Sequence, residues 1–483
     1  MIKRMAQTGW ILVLVMAMWS CGDGAAGLNE SYFDGQDQNG GLVMIESNAT
    51  GVNTKISTKG LPAPFTYSTN AKFSFSCTTP SCTFKCSLDG AAYKSCTSPK
   101  SYSGLLPGGR IFMVKATAAG KTDKTPAGYS WVIMQDSWQP TSTTSVNTYG
   151  RTVHTAVWAG YQMLIWGGNN GGYMQDGLIY DAATDAWSTM GVTKQPSARD
   201  SHAAVWDWSN SVMVVWGGWN GSELGSGSCY YPSTNTWGTI SSTNAPSNRR
   251  LHSAVDISGP GVIFWGGWNG ASTVNTGAIY NPSDNTWTPT STVNAPEARQ
   301  SYSLENMGTI VLVWGGWNGS ARLNTGGRYT LSTDSWTPMI TTNAPTARTE
   351  HSSVYCGGNF AVWGGNDGSY ANTGGIYNPY VDVWTPMPTA NAPSARGRAA
   401  IACYTEFDKN MVIVWGGFDG ANRLNSGGRY LINTGEWTDT TSIGAPSPRE
   451  YATAVFDGGP NQMIIWGGYD GTNYLYTGGR YTP

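Results

Sequence analysis

The stretch IVLVWGGWNGSARLNTGGRYTLSTDSW, residues 310 to 336, contains an apolar run ending at Trp314, a double glycine, a Gly-rich loop, a strand ending at Tyr329 and a polar turn before Trp336. The run from Ile310 to Val313 is apolar without alternation, which is how a strand covered on both faces reads. Glycines at the end of such a strand permit positive φ and let another backbone or ring approach closely. No apolar residues recur at helical spacing, so the stretch reads as short antiparallel strands joined by turns.

The same order of residues recurs along the chain. WGG occurs seven times, with Trp at 166, 216, 265, 314, 363, 415 and 466, so the spacings are 50, 49, 49, 49, 52 and 51. A period near 50 marks a repeat architecture. Each unit begins with an Arg, at 151, 199, 249, 299, 348, 396 and 449, and has its strand-ending Tyr at 180, 230, 280, 329, 377, 430 and 481. A further Trp follows at 187, 237, 287, 336, 384 and 437. Four short strands per unit, covered on both faces and repeated, predict propeller blades.

Only six of these further tryptophans follow a repeat Tyr, because the chain ends at GGRYTP. The seventh stands at the other end, where Trp138-Gln139-Pro140 matches Trp287-Thr288-Pro289 and lies 49 residues before Trp187. A strand from 136 to 142 is therefore expected to complete the last blade and close a ring of seven with no open edge.

Pro, Arg, a His three residues on, an apolar strand, a double glycine, Tyr and Trp resemble the kelch repeat over all of 136–483. The resemblance implies a binding or scaffolding propeller. A minority of that superfamily are enzymes, copper-radical oxidases similar to galactose oxidase and a sialic-acid mutarotase, which supply the alternative reading.

The enzyme reading has to be carried by the histidines, and the chain has four: His154, His202, His252 and His351. Each sits three residues after a repeat Arg in a different unit, whereas a metal site needs unlike residues converging on one point. No nucleophile elbow, phosphate-cradling loop or HExxH is present. No catalytic residue, metal or cofactor is expected. Charged residues make up 12% of the chain and net charge is −2, which argues against a nucleic-acid partner.

Toward the N-terminus, Ile2-Lys3-Arg4 and the apolar run Gly9 to Trp19 read as an export signal. MWSCGDG, with Ser20 before Cys21, resembles the lipobox of bacterial lipoproteins, although Met18 stands where Leu is usual. That resemblance implies cleavage at residues 1–21, lipidation of Cys21 and membrane anchoring; without lipidation the protein is secreted.

Residues 22–60 are polar and Gly-rich and read as a flexible tether. Residues 61–135 alternate like short strands and hold Cys77, Cys82, Cys86 and Cys96, a small β-sandwich. Four cysteines allow three connectivities; Cys77 with Cys82 and Cys86 with Cys96 is preferred because each pair could staple a hairpin. CSLDGAAYKSCTSPKSYSGL resembles an Ig-like spacer module of bacterial surface proteins, which implies presentation or adhesion. In the propeller, Cys356 and Cys403 lie on comparable strands of adjacent units but are offset by one residue, so they, like Cys229, are expected to be buried free thiols.

Positions shared by all units answer to the common blade environment, while positions that differ are free to carry function. Two loop classes differ most. One lies between the first two strands, in WDWSNS (206–211), DISGPG (256–261) and YTEFDKN (404–410). The other is the residue after the double glycine: Asn169, Trp219, Trp268, Trp317, Asn366, Phe418 and Tyr469. Strand order places the two classes on opposite faces. Trp219, Trp268, Trp317, Phe418 and Tyr469 are the candidate ligand-binding residues, for a protein or glycan partner; the competing expectation is that each packs half-buried on a neighbouring blade.

Overall fold

A computed structural model describes residues 43–44, 51–66, 68–134, 136–144, 149–259, 261–406, 409–458 and 461–483. The signal segment and Cys21 lie outside the described residues. The chain divides into two compact units, Met1–Gln135 and Asp136–Pro483.

In the second unit the described residues form seven four-stranded antiparallel sheets. In the first sheet the strands are Thr155–Trp158, Gln162–Trp166, Gly177–Asp181 and Ala186–Thr189. Their register sets Thr155 opposite Trp166, Trp166 opposite Gly177 and Tyr180 opposite Trp187. All seven WGG tryptophans are buried, as an apolar strand sandwiched between sheets requires.

Hydrophobic clusters join each sheet to the next. Leu164 and Trp166 pack with Met213 and Val215, Val214 and Trp216 with Val262 and Phe264, and Ile263 and Trp265 with Val311 and Val313. Leu312 and Trp314 then meet Phe360 and Val362, and Ala361 and Trp363 meet Val412 and Val414. The sixth sheet touches the seventh through Trp415 and Trp138, ring centroids 5.1 Å apart. Ile464 and Trp466 of the seventh pack on Met163 and Ile165 of the first.

The seventh sheet draws on both ends of the unit. Ser137–Pro140 pairs antiparallel with Gly478–Thr482, setting Trp138 opposite Tyr481 as Trp187 is set opposite Tyr180. The Trp187 indole donates to Ser142 O and the Trp237 indole to Gly191 O, each reaching the end of the sheet before it. Trp138 makes the same bond to Thr441 O at 3.0 Å. Asp136 accepts from the Tyr481 hydroxyl, as Asp185 does from Tyr180.

The repeat Arg is a fold residue. Arg299 is fully buried, and its guanidinium donates to Gly315 O, Thr325 O and the Thr325 hydroxyl, which ties the loop after the double glycine to the chain entering the sheet. Burial lowers the pKa of Arg199, Arg249, Arg299, Arg348, Arg396 and Arg449 to about 10. The double glycine is equally constrained. Gly168 has φ 100°, and a Cβ there would lie 2.6 Å from Thr152 O.

One expectation is overturned. Cys356 and Cys403 form a disulfide across the inner strands of the fifth and sixth sheets, with Cα atoms 5.4 Å apart. The one-residue offset that argued against pairing is what permits it. Adjacent blades face one another with opposite sides of their sheets, so residues of opposite parity meet: Trp216 packs on Phe264, the counterpart of Val215. Cys229 is free and buried.

The first unit is also all-β. One sheet runs Val43–Met44, Ala127–Ile133, Gly108–Ala118, Thr83–Leu88 and Lys94–Cys96. Two short pairs, Thr54–Ile56 with Phe75–Cys77 and Ala71–Phe73 with Lys100–Tyr102, supply the other side of its core. Phe73 stacks on Phe112 at 4.1 Å between centroids, with Tyr129 and Trp131 beside them. Cys77 is joined to Cys82 and Cys86 to Cys96.

Two of these strands lie within 22–60, the stretch read as a tether. Thr54–Ile56 alternates buried and exposed residues. Thr54 also donates to the buried Asp123 carboxylate through both its amide and its hydroxyl, a partner 69 residues away that local composition does not reveal.

Candidate interaction face

In every repeat the residue after the double glycine forms two β-bridges, one to the residue after the repeat Arg and one within its own loop. Trp219 bridges Asp200 and Glu223, and Tyr469 bridges Glu450 and Tyr474. The loops following the double glycines and the segments entering the inner strands therefore share one face. The hairpins joining first and second strands lie at the opposite ends of those strands. Two residues past each Arg, at Val153, Ser201, Leu251, Ser301, Glu350, Arg398 and Tyr451, φ lies between 51° and 58°. Amides link some of these from one repeat to the next, Arg398 N–H to Glu350 O and Leu251 N–H to Ser201 O.

The five candidate residues are all half-buried. The Trp219 ring lies 4.2 Å from the Arg250 guanidinium, which also approaches Glu223 at 3.7 Å. Trp268 and Trp317 are held by bridges to Thr273 and Arg322. The structure brings Phe418 and Tyr469 together through Arg423, 4.7 and 5.4 Å from their ring centroids. Tyr370 meets Phe418 edge-on.

Around Phe418 and Tyr469 the loops build a charged network. Arg398 bonds Glu350 and Glu450 at 2.8 Å each, and Arg423 bonds Glu450 at 2.8 Å. The Tyr370 hydroxyl donates to Glu350. Burial works to lower the pKa of Arg398, but its bonds to Glu350 and Glu450 reverse the sign and raise it. Burial pushes Tyr451 up to about 12, against the pull of Arg398 4.9 Å from its ring.

Next to this network is a set of tyrosines that the glycine motif does not mark. Tyr149, Tyr173, Tyr451, Tyr474 and Tyr476 are between 36 and 59% exposed. Tyr149, Tyr474 and Tyr476 meet where the chain entering the first sheet touches the last loop: Arg151 N–H donates to Leu475 O, and a Cβ on Gly150 would lie 1.9 Å from Tyr474 O. The signal in the sequence was departure from the repeat. Tyr149 stands where other units have Ser197, Ser247, Glu297, Thr346, Ser394 and Ser447, and Tyr476 where four have Asn275, Asn324, Asn372 and Asn425.

Residues 153–365, 259–442 and 350–478 each match the model of the KLHDC2/KLHL20/DRC7 Kelch-repeats domain, so the matches together run from 153 to 478. The chain belongs to the kelch-repeat family. The overlapping matches follow from the repetition itself, since one kelch window fits at several registers along the propeller. No curated protein matches the chain.

The inner strands line an open pocket of about 320 Å³ bordered by His202, His252, Tyr302 and His351. Three histidines bond the inner strand of the preceding repeat: His202 to Thr155, His351 to Ser303 and His154 to Thr453, at 2.7 to 2.8 Å. Burial, aided by the adjacent repeat Arg, lowers His154, His252 and His351 to about 3. Among the described residues no three His, Cys, Asp or Glu side chains gather at metal-holding distance. Glu305 is the exception on the inner strands, standing where other kelch repeats have Val157, Val205, Val255, Val354, Ala402 and Val455. Burial pushes its pKa up to about 7, opposed by the Ser353 hydroxyl bonded at 3.0 Å.

Proposed function

We propose that this protein is an exported, lipid-anchored surface protein whose kelch propeller binds a protein partner through the post-glycine face, without catalysis. The propeller is a closed ring of seven blades completed by Ser137–Pro140, and residues up to 135 form an Ig-like spacer behind a lipidated Cys21. The bonds of Trp138 and Asp136, which repeat those of the other blades, support closure. Three disulfides suit an oxidising compartment, and among the described residues no helix is long and apolar enough to cross a membrane.

Kelch repeats commonly mediate protein interaction. The observation that carries the reading here is the exposed tyrosine sector beside the Arg398–Glu450 network. Tyr offers large, rigid contact area with a polar tip at low entropic cost, and Arg and Tyr dominate interface hot spots. The half-buried tryptophans of the second to fourth repeats favour a glycan as the second reading. His154, His202 and His351 each bond a hydroxyl of the preceding repeat's inner strand, which supports a framework role for them.

The test places a photo-cross-linking amino acid at 149 or 476 in the full chain, expressed in its native cell. One partner should be captured from both positions and none from exposed Val192. Equal labelling from all three would remove the reading. Cys21→Ala should move the protein from the membrane to the soluble fraction, and an unchanged membrane fraction would refute the anchor.

A further inference from the structure

The opposite face of the ring carries a separate feature. Among the described tryptophans, Trp208 is the one with a largely exposed ring, at 57%. It lies in the hairpin between Ala203–Asp207 and Val212–Trp216. No other repeat has a Trp in that hairpin turn, so blade architecture does not require it. The neighbouring hairpin, in the first repeat, presents Tyr161 at 63% exposure. Gly160 lies between them, close to the indole: a Cβ there would be in van der Waals contact with Trp208 Cζ3, at 3.8 Å.

The turn that holds Trp208 is fixed on three sides. Fully buried Asp207 accepts from the Asn210 backbone amide at 2.8 Å and from its side-chain amide at 3.1 Å. Ser283 of the third repeat donates to Asn210 Oδ1 at 2.7 Å, and Gly259 N–H donates to Ser209 Oγ at 3.1 Å. Trp206 meets Trp208 edge-on at 6.2 Å. An exposed indole on a pre-organised turn pays little ordering entropy when a flat ligand stacks on it.

We propose that Trp208 and Tyr161 form a stacking platform for a neutral oligosaccharide, with Ser209, Asn210 and Ser283 as its hydrogen-bonding rim. A pyranose presents a C–H face to the electron-rich face of an indole, and its hydroxyls suit amide and hydroxyl partners. Nucleobases stack equally well but bring phosphates that need a basic groove. The hairpin segments 159–161, 207–211 and 257–261 contain no Lys or Arg. The platform is independent of the partner face proposed above, because it lies at the other end of the inner strands.

The full chain is titrated with cellohexaose, maltohexaose, mannohexaose, xylohexaose and chitohexaose, followed by tryptophan fluorescence and calorimetry. At least one should bind and shift the fluorescence. Trp208→Ala should weaken that binding about tenfold, the worth of one aromatic stack. Trp208→Phe should retain most of it, and Val192→Ala, at an exposed position beyond the last strand of the first sheet, should leave it unchanged. All variants should keep the parent melting temperature. Binding of none of the five, or equal binding by Trp208→Ala, overturns the proposal, as does loss of a protein contact but of no sugar.

Discussion

Two sectors of the post-glycine face share one backbone and differ in what they display. In the second to fourth repeats the bridging residue is Trp219, Trp268 or Trp317, half-buried between neighbouring loops. From the fifth repeat round to the first, Asn366, Phe418, Tyr469 and Asn169 occupy the same position, and the loops around it hold paired Arg and Glu side chains and exposed tyrosines. The aromatic surface offered to solvent lies mainly where the repeated motif is least tryptophan-rich. A repeated aromatic is under pressure to pack on its neighbour, whereas one that breaks the pattern has no such place.

The largest contrast between the sectors is electrostatic. Glu450 is 3% exposed and bonds two guanidinium groups, so Glu450→Ala should destabilise the propeller by about 3 kcal/mol or more, because it strands partly buried charge. Glu223→Ala, which removes a partner 3.7 Å from half-exposed Arg250, should cost less than about 1 kcal/mol. Thermal unfolding of the two variants side by side measures both. Equal losses would break the contrast.

Acid separates the repeats along a different line. Buried His154, His252 and His351 have folded pKa values near 3, below the ordinary 6.5, so the unfolded chain binds protons that the folded one does not. Their contribution is complete above pH 6.5 and is lost as pH falls from 6.5 toward 3. Hydrogen exchange at pH 5 should loosen the inner strands of the first, third and fifth repeats before those of the sixth and seventh, which have Ala399 and Ala452 instead. Glu305 has the opposite sign: with its pKa raised from 4.5 to about 7, stability is lost as pH rises through that window. Glu305→Val should stabilise by about 1 kcal/mol at pH 8, an amount discounted because the side chain keeps some solvent exposure, and have little effect at pH 4.

The smallest expected effect sharpens the tryptophan sector itself. Arg250→Ala removes the cation over Trp219, costs about 0.5–1 kcal/mol, and should red-shift the emission and raise acrylamide quenching. Unchanged quenching would mean that Trp219 is shielded by something other than Arg250.

The repeat was legible because its fold residues are the ones that recur. Arg299, the double glycine at 315–316 and Trp314 are each tied to a burial or a backbone contact common to every blade. The strand at 137–140 was legible because Trp138 keeps the 49-residue interval to Trp187. Three features were hidden. The Cys356–Cys403 bond was obscured because aligned repeats suggest that like positions meet, while facing blades bring unlike parities together. Thr54–Ile56 was concealed by polar composition and a distant partner, Asp123. The exposed tyrosines are not marked by the recurring motif, because Tyr149 and Tyr476 depart from it.

The most direct measurement is the affinity of the purified full chain for the partner captured by cross-linking, compared between two double variants. Tyr149→Ala/Tyr476→Ala should weaken binding about a hundredfold, as loss of two hot-spot side chains does, with the melting temperature unchanged. Trp219→Ala/Trp317→Ala should bind within about threefold of the parent, since loss of affinity follows lost hot spots and not lost packing elsewhere. The reverse ranking, with the tryptophan pair carrying the affinity and the tyrosine pair dispensable, would contradict the assignment of the contact surface to the tyrosine sector.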